Sequence, residues 1–210
     1  MLTVTKFVAF GDSLTEGTVS PLPTVLIKLM AEQTYPFRLQ SLLAARYTAQ
    51  VPTVVNRGKA GEYAEDAVSR FVDMLRGDSP EAVLLLEGVN DLSNGGTRGA
   101  SRALSALDSM MREARNRRVQ MFLATLPPER PGTPHTLDDA LLARFNDDVR
   151  RLARGENAEL VDLAVEFDPN LIGADGLHPS EQGYARLAEI FFNHIKASKE
   201  APPAAFTGTR

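Results

Sequence analysis

Phe7-Val8-Ala9-Phe10-Gly11-Asp12-Ser13-Leu14-Thr15-Glu16-Gly17 is an apolar run that stops abruptly on Gly-Asp-Ser. Residues 3–10 alternate loosely and then become wholly apolar, the pattern of a central strand. Ser13 then stands at the C-terminal tip of that strand, where open α/β sheets bind their ligands. Glycines on both sides leave its hydroxyl room to act as a nucleophile. Gly, Asp and Ser are also ordinary turn formers, so the tetrapeptide alone is a weak signal. Its meaning depends on whether the chain repeats the pattern and supplies partners.

Outward from this stretch, strands and helices alternate. Tyr35-Pro36 opens a helix that runs to about residue 47, with proline in the first turn. A β-branched strand over 51–56 ends in the loop Arg57-Gly58-Lys59-Ala60-Gly61, and a helix over 62–75 follows. Residues 82–86 are the most apolar run and suit a strand covered on both faces. Beyond them come Glu87-Gly88-Val89-Asn90-Asp91, a glycine-rich loop over 93–99 and a helix over 100–116. Arg115, Arg117 and Arg118 at its end suit the helix dipole without a binding role. A strand over 119–126, a Pro/Gly-rich loop over 127–136, a helix over 137–154, a short strand over 160–163, an irregular stretch to 176 and a helix over 180–196 complete the chain. This alternation predicts an α/β fold: a three-layer α/β/α sandwich around a mostly parallel sheet of about five strands. We expect one domain over 1–198 and a disordered Pro/Ala/Gly/Thr tail over 199–210.

Residues 18–34 break the alternation. Val19, Leu22, Val25, Leu26, Ile27, Leu29 and Met30 are apolar, while Pro21 and Pro23 forbid a simple helix entry. We expect an irregular excursion, a hairpin or short lid, that packs on its own domain.

The chain has 210 residues, enough to bury a sizeable core without disulfides or metals. A net charge of -4 gives no reason to expect nucleic acid or an anionic membrane as partner. Cysteine is absent, which excludes disulfides, thiolate metal sites and a cysteine nucleophile. No run approaches the ~18–20 apolar residues of a membrane span. No signal peptide is visible, and a cytoplasmic protein and the mature part of a secreted one both fit.

In a parallel sheet, right-handed crossovers bring all strand C-termini to one rim. Ser13, the 58–61 loop, Asn90 and Asp175-Gly176-Leu177-His178-Pro179 then converge. A serine hydroxyl needs a base, and histidine is the usual one because its pKa lies near working pH. Of the three histidines, His194 lies in the terminal helix as a surface or packing residue, and His135 lies in the Pro-rich loop, with a substrate-side role open to it. His178 has Asp175 three residues earlier, close enough to fold back on the imidazole and fix its tautomer. An Asx turn capping a helix at Pro179 is the alternative reading. The Ser13 N–H, the Gly61 N–H and the Asn90 amide are candidate donors to an oxyanion, although Gly-x-Asn-Asp is also a common turn.

Together these blocks resemble the SGNH hydrolases of the GDSL esterase/lipase family. Gly11-Asp12-Ser13-Leu14 resembles the nucleophile block, Asn56 to Glu62 the second, Gly88-Val89-Asn90-Asp91 the third and Asp175 to His178 the last. The resemblance spans residues 7–195 and implies a flavodoxin-like fold. It implies a serine esterase with the triad Ser13, His178 and Asp175. The oxyanion hole would be Ser13, Gly61 and Asn90, with no cofactor or metal and a small-molecule ester as substrate. Glu62 stands where the family often has Asp. No Gly-x-Ser-x-Gly elbow is present, which disfavours the larger α/β-hydrolase fold. A thioesterase, a lysophospholipase or a carbohydrate deacetylase would use the same site; a non-catalytic binding module is the more distant alternative.

Overall fold

The N-terminal apolar run forms β1 (Lys6–Gly11), buried at every position after Lys6. The computed structural model describes residues 1–133 and 137–201. After β1 come α1 (Ser13–Glu16), a hairpin of β2 (Thr18–Leu22) and β3 (Val25–Lys28), and α2 (Tyr35–Arg46). Then follow β4 (Thr53–Gly58), α3 (Ala64–Gly77), β5 (Ala82–Leu86) and α4 (Val89–Asn116). The chain continues with β6 (Gln120–Ala124), α5 (Asp139–Gly155), β7 (Glu159–Val161), α6 (Leu163–Glu166) and α7 (Glu181–Lys199).

The sheet is five-stranded and wholly parallel, in the order β4-β1-β5-β6-β7. Helices α3, α4 and α5 pack side by side on one face, and α2 with α7 on the other. Such double coverage explains why β5 is apolar and buried throughout. Amphipathic spacing does the same for the helices: Ala67, Phe71, Met74 and Leu75 form the buried stripe of α3. Asp138 and Ser180 cap α5 and α7 by accepting the Leu141 and Gly183 N–H groups. No helix among the described residues is long and apolar enough to cross a membrane.

The register decides where the site lies. Gly11 pairs with Gly58 of β4 and with Leu86 of β5, so three strand tips are level. The strand order reverses at β1, which opens a crevice beyond its carboxyl end. Ser13 is two residues past that end.

Three expectations need correction. Residues 93–99 are not a loop. Helix α4 starts at Val89 and continues through them, broken only at Gly96 (φ 53, ψ -139). The helix begins early because Gly88, at φ 116, turns the chain out of β5. Within this stretch Ser93 Oγ and Asn94 Nδ2 bond back to the Val89 and Asn90 carbonyls.

The excursion over 18–34 holds an antiparallel hairpin whose register shifts between Val19 and Leu22, and it packs Val19 and Leu29 on the core but leaves its other apolar residues uncovered. Leu22, Leu26 and Ile27 are 60%, 59% and 49% exposed. A two-stranded ribbon standing off the sheet has too little surface behind it to cover both faces. Among the described residues, the bonds that tie it to the domain include Leu29 N–H to the Gly17 carbonyl and Ala174 N–H to the Ser20 carbonyl.

The start of the expected tail belongs to the fold. Lys199 ends α7, and Glu200 pairs with Arg46 at 2.8 Å and accepts from the Tyr47 hydroxyl. Residues 202–210 of that tail, and His135, lie outside the described residues.

Candidate active site

The turn after β1 is held from within. The Asp12 carboxylate accepts the Leu14 N–H at 2.9 Å and caps α1, so Ser13 is the first residue of a helical turn. Tyr184 Oη donates to the carbonyls of Ser13 and Thr18, at 3.3 and 2.7 Å, and fixes the turn from the α7 side. Gly58 makes the packing possible: a Cβ there would lie 2.0 Å from the Glu16 nitrogen, so no side chain fits between the tip of β4 and α1.

His178 arrives from the opposite direction, in the loop before α7. Its Nε2 lies 2.9 Å from Ser13 Oγ, and its Nδ1 lies 2.6 Å from Asp175 Oδ2. All three residues are buried. The other Asp175 oxygen accepts the N–H groups of Leu177 and His178, both at 3.1 Å. The carboxylate thus makes the Asx turn and holds the imidazole, one oxygen for each, while Ser180 caps α7. Burial alone would raise Asp175; the imidazole and the two backbone donors overcome it and hold the carboxyl below its ordinary range. An ionised Asp175 can only accept, so Nδ1 carries the proton and Nε2 is free to take the serine's.

The second and third loops meet beside this line. Lys59 N–H donates to the Gly11 carbonyl at 2.9 Å, which ties the loop after β4 to β1. Gly61 has φ 75, a conformation that glycine adopts without strain. Asn90 is the second residue of α4, and its Nδ2 donates to the Glu62 carbonyl at 2.9 Å. That bond uses one of the two amide hydrogens and leaves the other available. Asp91 Oδ2 accepts the Ala64 N–H at 3.0 Å and locks the starts of α3 and α4 together.

A sequence model of the GDSL-like lipase/acylhydrolase family matches residues 9–186. The chain belongs to this family. Its class is that of carboxylic ester hydrolases. It is 26% identical over 132 residues to a multidomain esterase of Ruminococcus flavefaciens, a match that covers 61% of this chain and 17% of that protein. It is 25% identical over 193 residues to an arylesterase of Vibrio mimicus, covering 88% of this chain and 85% of the relative. The solved lipase/acylhydrolase from Enterococcus faecalis shares the fold, with a TM-score of 0.77 at 22% identity over 95% of this chain and 99% of that one.

Beneath the GDSL turn lies a group of buried acids, among them Glu87, which sequence reading did not single out. Burial drives the Asp12 carboxyl from its ordinary 3.8 up to about 7; the Leu14 N–H and the His178 ring pull it down, and Asp91 adds to the rise. Burial, reinforced by Asp12, Glu62 and Asp91, also holds Glu87 well above its ordinary range. Folded Asp12 therefore keeps a proton that the unfolded chain releases above about pH 4. Its contribution to stability is complete below that pH and is lost as pH rises to about 7. Asp12→Asn keeps an acceptor for Leu14 but cannot titrate. Between pH 5 and 8 its stability in urea unfolding should fall less than the parent's, by at most about 3 kcal/mol. Equal falls in the two proteins would remove Asp12 from this account.

His194 is bonded to Glu166 at 2.7 Å, away from the triad, as a packing residue would be. Arg70 is the other residue the sequence hid. It lies on α3 against the second loop, and the only signal for it is an arginine two turns into the helix that follows Gly61.

Proposed function

We propose that this GDSL-family chain cleaves carboxylic esters by double displacement through Ser13. The line of hydrogen bonds from Ser13 Oγ through His178 to Asp175, at 2.9 and 2.6 Å, carries this reading. His178 Nε2 takes the hydroxyl proton as Oγ attacks the ester carbonyl. The Ser13 and Gly61 N–H groups and the Asn90 amide stabilise the tetrahedral oxyanion. His178 then gives its proton to the departing alkoxide, and an acyl-serine remains. Water, deprotonated by the same nitrogen, attacks the acyl carbon; the bond to Ser13 Oγ breaks, His178 returns the proton to Oγ, and the acid is released. Asp175 orients the ring and stabilises the imidazolium throughout.

The substrate class we propose is esters of acetyl and other short to medium acyl groups, with aryl esters among them because the Vibrio mimicus relative is an arylesterase. A second reading, longer acyl chains as in a lysophospholipase or thioesterase, draws on the exposed apolar hairpin. Its Ser20 carbonyl is bonded to Ala174, the neighbour of Asp175. Release of p-nitrophenol from acetyl through palmitoyl esters tests both. We expect turnover to be highest for the short acyl groups and to vanish with Ser13→Ala. A maximum at long chains would move the assignment to the second reading. A folded parent protein that cleaves no ester and takes no fluorophosphonate label would indicate a binding module.

A further inference from the structure

The two oxyanion donors that lie outside the GDSL turn share one residue. Glu62 follows Gly61 directly, and its carbonyl accepts the Asn90 amide at 2.9 Å. Whatever fixes Glu62 fixes both donors. Its carboxylate is buried and is gripped from one side by Arg70, through Nε at 2.9 Å and through Nη2. Lys59 Nζ holds the other side at 3.1 Å. The same guanidinium donates from Nη1 to the Arg57 carbonyl at 2.6 Å and from Nη2 to the Gly11 carbonyl at 3.3 Å. It also lies 3.9 Å from the centre of the Phe10 ring. Arg57 is at the end of β4, and Gly11 is at the end of β1, one residue before Asp12-Ser13.

We infer that Arg70 is the positioning residue of the oxyanion hole: one guanidinium, bonded to the Glu62 carboxylate and to the Gly11 carbonyl, sets Gly61 and Asn90 relative to Ser13. This rests on the reading of Gly61 and Asn90 as oxyanion donors. A guanidinium suits the task because it is planar and presents donors in several fixed directions at once. Charge-assisted bonds to Glu62 are the stiff part of the clamp. Lysine in its place could neutralise Glu62, but a single ammonium cannot span the carboxylate and two strand-end carbonyls. The clamp touches no reacting atom. Its effect is on the placement of donors, and a misplacement near 1 Å lowers turnover by about 10²-fold.

The test is steady-state kinetics on p-nitrophenyl acetate with Arg70→Met, Arg70→Lys, Glu62→Gln, Asn90→Ala and the Arg70→Met/Asn90→Ala pair. Arg70→Met should lower kcat by about 10²-fold with KM little changed, and Arg70→Lys should recover part of that loss. Asn90→Ala should lose about 10²–10³ in kcat, as for one oxyanion donor. If Arg70 acts through Asn90 and Gly61, the paired variant must fall well short of the product of the single losses. A parent-like kcat in Arg70→Met, or losses that multiply, would overturn the proposal. Should Arg70→Met fail to fold by circular dichroism, Glu62→Gln and Arg70→Lys decide: a parent-like kcat in both rejects the clamp. Asn90→Ala at the parent rate is a different failure, that of the oxyanion reading itself.

Discussion

Ser13→Ala and His178→Ala are each expected to lose on the order of 10⁶-fold in kcat, and the double variant is expected to lose no more than either. The equality follows from the geometry. Ser13 Oγ has one basic partner among the described residues, His178 Nε2 at 2.9 Å, and a hydroxyl without a base is a poor nucleophile near neutral pH. Without the oxygen, the imidazole has nothing to activate in the first step. The two side chains therefore act as one device, and removing it twice has no further effect. What remains is the contribution of the oxyanion donors and substrate binding, roughly 10³–10⁴ over the reaction in water. Kinetics on p-nitrophenyl acetate gives the losses, and fluorophosphonate labelling gives an independent reading. Ser13→Ala must take no label, and His178→Ala must label far more slowly than the parent. Losses that multiply in the double variant would mean that His178 serves some step in which Ser13 has no part.

The parts of the fold legible in sequence were those where burial leaves only one pattern. Residues 82–86 are apolar without interruption because β5 is covered on both faces, and they form a strand with those bounds. Ser13, Gly61, Asn90 and Asp175–His178 were legible because each is a polar or glycine signal directly after an apolar strand or before a helix cap. What was lost depends on contacts at a distance. The glycines at 95, 96 and 99 read as a loop because glycine is a poor helix former in isolation. In the structure Gly99 is required by packing, since a Cβ there would lie 2.0 Å from the Asp91 carbonyl oxygen. The hairpin's exposure depends on what fails to cover it, which no local pattern reports. Arg70 looks like any cation on an amphipathic helix. Its meaning comes from two strand-end carbonyls 13 and 59 residues away in sequence.

Asp175→Asn should lower kcat by about 10⁴-fold while leaving the fold in place. The amide keeps an oxygen where Oδ1 now accepts the Leu177 and His178 N–H groups, so the turn before α7 survives. Its NH₂ then takes the position of Oδ2, 2.6 Å from His178 Nδ1. A donor at that position forces Nδ1 to accept, and the ring proton moves to Nε2. That nitrogen then points a hydrogen at Ser13 Oγ instead of a lone pair, and the proton transfer that starts the reaction has nowhere to go. Substrate contacts are untouched, so KM should change little. Stability offers a second readout with a definite sign. Asp175 is held below its ordinary range, so its ionised form stabilises the fold above the unfolded carboxyl's pKa, and this contribution is lost as pH falls through the folded value. Asp175→Asn has no such contribution to lose, and its Tm should fall less than the parent's on going from pH 6 to pH 3. A variant with parent-like kcat would show that His178 finds its tautomer without Asp175. A variant with low kcat but the parent's full acid sensitivity would show that the carboxylate's work is catalytic orientation alone.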